Sequence, residues 1–339
     1  MPALSSRLIV KITINGDAHL RLQGLGVSEI EDAGKRLRGK VVRTPLVPLN
    51  LETKGEIYLK LECLQPTGSF KVRGAGNAIE LLTQAERAKG VYTCSAGNMA
   101  QALAWHARRE NIECTVIVPD NAPQTKLDNI RRYGADIIQM SWDEVWQVAK
   151  VRRYPPLAER TFVHPFADPR MIAGNGTAGL EILEDLPEVD SVIVPFGGGG
   201  LFTGIATAIK GRKGSVKMFA SEVETAAPLS ASLEADRPIE IKRIPSFVDG
   251  IGGGNVSEDI WSLIKPLISR SIVVSLNQIA AAIRILLERN RVVAEGAGAS
   301  SVAAALTGKA GGGKAVCIVS GGNIDIAKLS LIMKGQTPE

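Results

Sequence analysis

Apolar and polar residues alternate along the chain in a repeating order of short apolar strands and amphipathic helices. Between residues 91 and 152 this pattern predicts strands and helices in strict alternation, joined by short links. The predicted segments are Val91–Cys94, Asn98–Arg109, Cys114–Val118, Ala122–Tyr133, Ile137–Met140 and Asp143–Arg152. Such alternation is typical of a parallel sheet with helices on both faces.

The alternation breaks at Pro155-Pro156 and at the connection from His164 to Pro169, where we expect the chain to cross between two domains. Outside this break the pattern predicts helices over Ser28–Leu37, Lys71–Leu82, Met171–Leu183 and Gln278–Arg289. Further helices are predicted after Gly200, ending at Lys210, from Thr225 onwards, and after Gly298. The pattern predicts strands at Val41-Val42, Glu56–Leu61, Ser191–Pro195, Val216–Ala220, Val273–Ser275 and Ala315–Val319. Residues 1 to about 25 show no clear periodicity.

Composition narrows the class of protein. The 339 residues, 45% hydrophobic and 22% charged, predict two domains or one large α/β unit. The net charge of +5 is spread along the chain without a basic tract interleaved with aromatic residues, which disfavours a nucleic-acid partner. The four cysteines lack metal-ligand spacing and suit reduced thiols. No apolar run is long enough for a membrane span, and no signal peptide is evident, so a cytoplasmic protein is expected.

The stretch Pro66-Thr67-Gly68-Ser69-Phe70-Lys71 combines a turn signal with a lysine at the start of a predicted helix. Ser69 is a residue type that caps helices, whereas a lysine in the first turn is disfavoured by the helix dipole. That cost falls when the amine is neutral or covalently bound, and a lysine with a lowered pKa suits Schiff-base chemistry on pyridoxal phosphate. An ordinary exposed lysine after a turn explains this segment equally well, so both interpretations stay open here.

Gly197 to Gly200, the glycine tetrad, lie between an apolar strand and a predicted helix. Without Cβ atoms, their N–H groups can turn towards an anion at the helix N-terminus, where the dipole also favours negative charge. A tight turn without a ligand is the alternative, but ordering four glycines has a high entropic cost. We therefore interpret the tetrad as an anion-binding loop.

A second candidate loop, Ser95-Ala96-Gly97-Asn98-Met99, also follows a strand and begins a helix. Its backbone amides, the Ser95 hydroxyl and the Asn98 amide suit a small carboxylate and a phenolic oxygen, although a simple helix cap is the alternative. Ser320-Gly321-Gly322-Asn323 ends the last clear strand. Because ligands of doubly wound sheets bind at the carboxyl ends of strands, we expect these loops and the glycine tetrad to line one crevice.

Other chemistries lack their motifs. The tetrad is not followed by the third glycine of a dinucleotide-binding fingerprint, and no Gly-x-Ser-x-Gly nucleophile elbow occurs. His19, His106 and His164 are far apart, lie outside the candidate loops, and have no zinc-ligand spacing. Glu222 and Glu224 suggest a cation site, but exposed glutamates at a strand end are the preferred interpretation, so no metal is expected.

Four motifs together resemble the fold-type II pyridoxal-phosphate family, which includes threonine and serine dehydratases and serine racemases. They are Thr67–Lys71, Ser95–Asn98, Gly197–Leu201 and Ser320–Asn323, and the resemblance covers about residues 40 to 325. It implies a two-domain open parallel-sheet α/β architecture similar to the tryptophan synthase β subunit. The large cofactor-binding domain would comprise 1–88 and 169–339, with 89–168 as a small mobile domain, in a homodimer.

The resemblance also implies a role for each motif. Pyridoxal 5'-phosphate would be the cofactor, with Lys71 bound to it covalently. Its phosphate would be held by Gly197, Gly198, Gly199, Gly200 and Leu201, its ring hydroxyl by Asn98 and its pyridine nitrogen by Ser320. The substrate, a small β-hydroxy amino acid, would be bound by Ser95, Ala96, Gly97, Asn98 and Met99.

The implied reaction is elimination of water from L-threonine or L-serine, giving 2-oxobutanoate or pyruvate plus ammonia. Ser320, in contrast to a carboxylate, would make the cofactor ring a weaker electron sink and favour loss of the β-hydroxyl. Ala96 stands where the family's racemases place a proton-delivering serine, which favours elimination over racemisation. The chain stops soon after the last motif without the regulatory domain of biosynthetic dehydratases, so a catabolic enzyme is expected.

Three alternatives stay open. Met99 replaces the histidine usual after the asparagine, so another β-hydroxy amino acid, such as phenylserine or 3-hydroxyaspartate, is an alternative substrate. Serine racemase is the second alternative. The third is a non-catalytic protein that binds phosphorylated metabolites through the glycine tetrad alone. The sequence does not reveal whether a cation or nucleotide activates the protein.

Overall fold

The computed structural model describes residues 25–338. Residues 1–24, the stretch without clear periodicity, lie outside the described residues. The strands are β1 (Leu46–Pro48), β2 (Glu56–Lys60), β3 (Val91–Cys94), β4 (Cys114–Pro119), β5 (Asp136–Met140), β6 (Thr161–Phe162), β7 (Ser191–Pro195), β8 (Lys217–Val223), β9 (Arg270–Val274) and β10 (Lys314–Ile318). None of the helices within 25–338 is long and apolar enough to span a membrane.

The helices alternate with these strands along most of the chain. They are α1 (Val27–Leu37), α2 (Lys71–Glu80), α3 (Gln84–Lys89), α4 (Asn98–Arg109), α5 (Gln124–Arg132), α6 (Trp142–Val151), α7 (Pro169–Asp185), α8 (Gly200–Arg212), α9 (Pro228–Ala235), α10 (Glu258–Ile264), α11 (Leu276–Ile285), α12 (Gly296–Leu306) and α13 (Ile326–Met333). A short 3-10 turn covers Asp249–Ile251, and a π-helical turn extends α11 over Leu286–Asn290.

The strands form two separate sheets. The six-stranded sheet has the order β1-β2-β10-β7-β8-β9, in which only the edge strand β1 runs antiparallel to its neighbour. The four-stranded sheet has the order β5-β4-β3-β6, is entirely parallel, and is built from residues 91–162. The predicted α/β architecture is confirmed, while the predicted domain boundaries at residues 88 and 168 stay a prediction.

The predicted element bounds agree best where an apolar segment ends at a polar residue or a glycine. Val91–Cys94, Asn98–Arg109 and Ser191–Pro195 have the same ends in prediction and structure. The strand predicted at Val41-Val42 is wrong, because the backbone of Val42 bonds instead to the Gln65 side chain, at 3.1 Å and 2.8 Å. Five short elements have too little hydrophobic periodicity to be predicted from the sequence: helices α3, α10 and α13 and strands β1 and β6.

Glycines hold three helices of the candidate site in backbone contact. Helix α7 packs between α2, which begins at Lys71, and α8, which follows the glycine tetrad. A Cβ atom on Gly174 would lie 2.5 Å from the carbonyl oxygen of Arg73 in α2, and one on Gly176 would lie 2.8 Å from the carbonyl oxygen of Gly204 in α8. Because no larger residue fits at these crossings, the glycines fix the position of Lys71 relative to the tetrad.

A buried network of charges anchors α2 directly behind Lys71. Arg73 donates two hydrogen bonds of 2.8 Å to the carboxylate of Glu62 and two, of 2.6 Å and 2.8 Å, to that of Glu181. Glu181 also pairs with Lys60 at 2.6 Å, and Arg73, Glu62 and Lys60 are fully buried. Since forked arginine–carboxylate bonds are directional, this network fixes the orientation of the helix that carries Lys71.

Candidate active site

The candidate site lies where loops at the carboxyl ends of strands from both sheets converge. The loop Ser95–Met99 follows β3 of the smaller sheet, whereas the glycine tetrad and Ser320–Asn323 follow β7 and β10 of the larger sheet. A backbone bridge joins Ser69 to Gly321, which brings the segment before Lys71 against the last of these loops. The convergence expected for parallel sheets is therefore present.

Lys71 lies in the first turn of α2, and its amine faces the segment that links the two sheets. Its Nζ donates a hydrogen bond of 2.5 Å to the carbonyl oxygen of Pro165. Removal from water lowers the pKa of Lys71 to about 8, while the nearby carboxylate of Glu295 acts in the opposite direction. The lowered pKa expected from the sequence therefore has burial as its main cause.

Ser69 does not cap α2, contrary to the expectation from its residue type. The N-cap position falls on Phe70, which provides no side-chain hydrogen bond to the helix. The Ser69 side chain is buried, and its hydroxyl has no hydrogen-bond partner among the described residues. Its backbone is committed to the bridge with Gly321, so tertiary pairing overrides the local capping preference.

The glycine tetrad has the geometry of an anion-binding helix start. Gly199 has φ +84°, in the left-handed region that favours glycine, and α8 begins at the next residue. A Cβ atom on Gly198 would lie 2.6 Å from Cδ1 of Phe166, and one on Gly200 would overlap the carbonyl group of Phe166. Leu201 is 5% exposed, and its side chain packs into the core beneath the loop.

A neutral histidine organises the segment that touches the tetrad. The Nδ1 atom of His164 accepts hydrogen bonds from the backbone N–H groups of Phe166 at 3.2 Å and Ala167 at 2.9 Å. Burial, together with the charge of Arg152, lowers the pKa of His164 to about 3, so the ring is neutral and free to accept. His164 lies outside the candidate loops in the sequence, but its turn places Pro165 at Lys71 and Phe166 at the tetrad.

A chain of hydrogen bonds joins the two sheets across the crevice. Nδ2 of Asn323 donates to Oδ1 of Asn98 at 2.8 Å and to the carbonyl oxygen of Thr67 at 2.8 Å. Nδ2 of Asn98 donates in turn to Oε1 of Glu295 at 2.8 Å. The Asn98 amide is thus held from both sides, and its second amide hydrogen remains to bind a ligand.

Glu295 is the main site residue that sequence reasoning missed. Burial, helped by the charge of Asp249, raises the pKa of Glu295 to about 7, although the hydrogen bond from Asn98 acts against this shift. Glu295 is the only charged residue between Val292 and Gly308. A single carboxylate within an apolar segment is the signal that would have identified it.

The residues of the loop Ser95–Met99 differ in their access to the crevice. Ser95, Ala96, Gly97 and Asn98 are half-buried, and the Ser95 hydroxyl accepts a hydrogen bond of 3.1 Å from the N–H of Gly97. Met99 is 2% exposed and belongs to the hydrophobic core that includes Val72 and Leu103. The structure therefore does not support the hypothesis that the Met99 thioether lines the crevice and selects a bulkier substrate.

The site fits pyridoxal phosphate in its donors and in its shape. Lys71 supplies an amine of lowered pKa, and the tetrad supplies the cradle that a side chain would fill. The hydroxyls of Thr67 and Ser69 are buried without a hydrogen-bond partner in the described part of the chain, and Ser320 is 2% exposed at the end of its strand. Polar groups of this kind suit a polar ring and its phosphate.

Of the two glutamates considered for a cation site, Glu222 has different surroundings from those expected. Glu222 is fully buried, not exposed, and accepts hydrogen bonds from Leu229 N and Ser230 N at 2.8 Å and from the Ser271 hydroxyl at 2.6 Å. Burial raises its pKa to about 7. Glu224 is exposed, as expected. No group of three or more potential metal ligands occurs within residues 25–338.

Fold and site together suit an α/β enzyme whose crevice combines a lysine of lowered pKa with a glycine-rich helix start. Comparison with known proteins gives the family. The chain belongs to the pyridoxal-phosphate dependent enzymes, whose family model matches residues 37–321.

Individual relatives share most of their length with this chain. It is 42% identical to the L-threonine ammonia-lyase of Thermotoga maritima over 313 residues, which covers 91% of this chain and 78% of that protein. It is 38% identical to the catabolic L-threonine dehydratase TdcB of Escherichia coli K12, covering 91% and 96% respectively. The structure of maize serine racemase superposes with a TM-score of 0.82 and 32% identity, covering 91% of this chain and 97% of the racemase.

Proposed function

We propose that this protein is an ammonia-lyase that removes water from L-threonine or L-serine and releases 2-oxobutanoate or pyruvate with ammonia. The observation that carries the proposal is the amine of Lys71, with a pKa of about 8, in one crevice with the glycine tetrad and the loop Ser95–Asn98. Relatives that are 42% and 38% identical are named for threonine deamination, which supports the same substrate class here.

Each part of the site has a place in this proposal. Pyridoxal phosphate, when bound, withdraws electrons from the α-carbon of the amino acid. Lys71 would hold the cofactor's aldehyde carbon, and the glycine tetrad its phosphate. Asn98 would bind the ring hydroxyl and Ser320 the pyridine nitrogen. Ser320 offers a hydroxyl instead of a carboxylate, which does not hold a proton on that nitrogen.

Lys71 is the proposed base that takes the α-proton. An amine with a pKa of about 8 is partly neutral near neutral pH, which a base requires, and its conjugate acid can return the proton. The carbonyl oxygen of Pro165 accepts a hydrogen bond from Nζ at 2.5 Å and so orients the amine.

The loop Ser95–Asn98 is the proposed site for the substrate carboxylate. Its position at the start of α4 places backbone N–H groups and the positive end of a helix dipole at the crevice. Ala96, at the centre of this loop, has no group that donates a proton. Loss of the β-hydroxyl is therefore favoured over return of a proton to the opposite face of the substrate.

The test is an assay of 2-oxo acid release from L-threonine, L-serine, phenylserine and 3-hydroxyaspartate. We expect the highest kcat/KM for threonine or serine, and no turnover by Lys71→Ala. A strong preference for phenylserine or 3-hydroxyaspartate would replace the proposed substrate. Wild-type protein that neither absorbs in the visible with pyridoxal phosphate nor retains it after borohydride reduction would instead favour a non-catalytic binder of phosphorylated metabolites.

Serine racemase is the second candidate function, favoured by the TM-score of 0.82 to the maize enzyme. Chiral analysis of the products from L-serine separates the two activities. Formation of D-serine at a rate comparable to that of pyruvate would favour the racemase. We expect pyruvate to dominate because of Ala96, and Ala96→Ser to raise the share of D-serine.

The proposed enzyme is catabolic, cytoplasmic and homodimeric. The similarity to the catabolic dehydratase of Escherichia coli supports the first point. The four cysteines are all free thiols, which suits a reducing compartment. Helix α13 exposes Ile326 and Met333 on the same face, with 82% and 38% of their surfaces accessible, and exposed apolar side chains suit contact with a second subunit. Sedimentation of the purified protein tests the dimer.

A further inference from the structure

Arg152 is an arginine near the candidate site with one guanidinium nitrogen, Nη1, that no described residue bonds. It follows α6 in a left-handed conformation with φ +56°, and its side chain is 14% exposed. Nη1 is buried, and nothing within residues 25–338 accepts a hydrogen bond from it. Nη2 lies 3.6 Å from Oδ2 of Asp259, which is longer than a charge-assisted hydrogen bond. A buried cationic donor without a partner is costly, which suggests a ligand for it.

The Arg152 side chain is near two groups that each connect to the glycine tetrad. One is Asp259, and the next residue, Ile260, has its Cγ2 atom 2.5 Å from where a Cβ on Gly199 would lie. The other is His164, close enough for the charge of Arg152 to act on its ring. His164 in turn holds Phe166, the residue in contact with the tetrad.

The glycine tetrad has no charged side chain on its own strand or on the first turns of its own helix. Residues 191–209, which include β7 and the tetrad, contain no charged residue, so the loop itself offers only backbone N–H groups and the dipole of α8. Other cations on neighbouring elements are engaged: Lys126 pairs with Asp249 at 2.5 Å, and Arg170 pairs with Asp168 at 2.7 Å. Asp259 adds a negative charge on the Arg152 side, which would repel a phosphate.

We propose that Arg152 is a phosphate-binding residue, whose Nη1 donates to the phosphate of the cofactor held by the glycine tetrad. The arginine thereby supplies a positive side-chain charge at the phosphate and offsets the negative charge of Asp259. This inference rests on the assignment of pyridoxal phosphate, but not on the identity of the amino-acid substrate.

The test compares two ligands that differ only in the phosphate. Dissociation constants of pyridoxal phosphate and pyridoxal are measured by absorbance on cofactor-stripped wild-type protein, Arg152→Gln and Arg153→Gln. We expect Arg152→Gln to raise the dissociation constant of pyridoxal phosphate about tenfold or more and to change that of pyridoxal less than about twofold. The reason is that only pyridoxal phosphate has the phosphate that forms the charged hydrogen bond. Arg153→Gln, the exposed neighbour, is expected to change neither.

Two further readouts separate a phosphate contact from a structural role. In ³¹P NMR of the bound cofactor, we expect the apparent pKa of the phosphate to be higher in Arg152→Gln than in the wild type, because the nearby positive charge favours the dianion. Asp259→Asn, which keeps Arg152, is expected to lower the dissociation constant of pyridoxal phosphate and to leave that of pyridoxal unchanged. This second variant keeps the proposal testable if Arg152→Gln does not fold.

Equal weakening of both ligands by Arg152→Gln would overturn the proposal and assign Arg152 a structural role. Unchanged binding of pyridoxal phosphate in both Arg152→Gln and Asp259→Asn would overturn it as well. Neither outcome affects the proposed lyase activity, which fails only if the wild-type holoenzyme releases no 2-oxo acid.

Discussion

The side chains of Asn98 and Glu295 are joined by a hydrogen bond of 2.8 Å across the crevice. Asn98 begins a helix that packs on the four-stranded sheet, whereas Glu295 precedes a helix that packs on the six-stranded sheet. This one contact therefore couples the loop Ser95–Asn98 to a carboxylate whose pKa is about 7 and whose charge acts on Lys71. The protonation state of Glu295 is thus linked to the reactivity of Lys71.

Replacement of Glu295 by glutamine is expected to lower the pKa of Lys71 below about 8. The Glu295 carboxylate stabilises the protonated amine, so its removal makes the amine neutral at lower pH. The pH dependence of the rate at which cofactor-stripped protein binds pyridoxal phosphate measures this pKa, since only the neutral amine attacks the aldehyde. We expect the midpoint to fall by roughly half a pH unit. Lys71→Ala is the control for covalent attachment, and an unchanged midpoint would contradict the proposed coupling.

Lys126 and Asp249 form an ion pair across the crevice, and their removal is expected to shift the pKa of Glu295 in opposite directions. Their atoms Nζ and Oδ2 are 2.5 Å apart, with 37% and 63% of the side chains exposed. Asp249 raises the pKa of Glu295, and Lys126 lowers it. Asp249→Asn should therefore lower this pKa and Lys126→Met should raise it. Each shift should be less than about one pH unit because of solvent screening.

The measurement is a pH titration of ¹³C-labelled glutamate by NMR, in which the Glu295 resonance is identified by its loss in Glu295→Gln. Salt should reduce both shifts, because the ion pair is exposed. Shifts of the same sign in the two variants would show that the ion pair acts by holding the two parts of the chain together, and not through its charges.

The fold could be predicted from sequence because its signals are local. The strand Val91–Cys94 and the helix Asn98–Arg109 are set by changes of polarity that a short window reveals. Ser69 shows the limit: its residue type predicts a helix cap, but pairing with Gly321, far away in the chain, places it elsewhere. Propensity is a weak prior where tertiary pairing competes with it.

The candidate site was predictable in its loops but not in the contacts between them. The glycine tetrad and the loop at Asn98 carry their own composition signals. Phe166 carries none, because its role depends on the fold that brings a connecting segment against Gly198. Glu295 lies about 200 residues from Asn98, and no local pattern joins them. Long-range partners of this kind become visible only in three dimensions.

Substitution of Arg73 by leucine is expected to lower the free energy of unfolding by about 3–5 kcal/mol. Arg73 is fully buried and shares four hydrogen bonds with Glu62 and Glu181, so its removal leaves buried carboxylates without their partner. Urea unfolding of the cofactor-stripped protein measures the change. Lys35→Met is the matched control, because Lys35 pairs with Asp32 at the surface, where solvent screens the pair and its loss should change the stability much less. Equal effects of the two substitutions would contradict the importance of the buried network.

Gly198→Ala is expected to weaken the binding of pyridoxal phosphate at least about tenfold, because a well-packed site does not accept even one added methyl group. The new Cβ atom would lie 2.6 Å from Cδ1 of Phe166, so either the ring or the tetrad must move. Gly312→Ala is the control, since a Cβ atom there meets nothing within 4 Å and the residue has no positive φ.

A second substitution decides whether Phe166 is the cause. In the double variant Gly198→Ala with Phe166→Ala, the ring that meets the new methyl group is gone, so we expect affinity for pyridoxal phosphate to recover most of the loss. The comparison is made against Phe166→Ala alone, by absorbance titration of cofactor-stripped protein. If the double variant binds as weakly as Gly198→Ala, the methyl group itself obstructs the tetrad, and the contact with Phe166 does not determine the shape of the cradle.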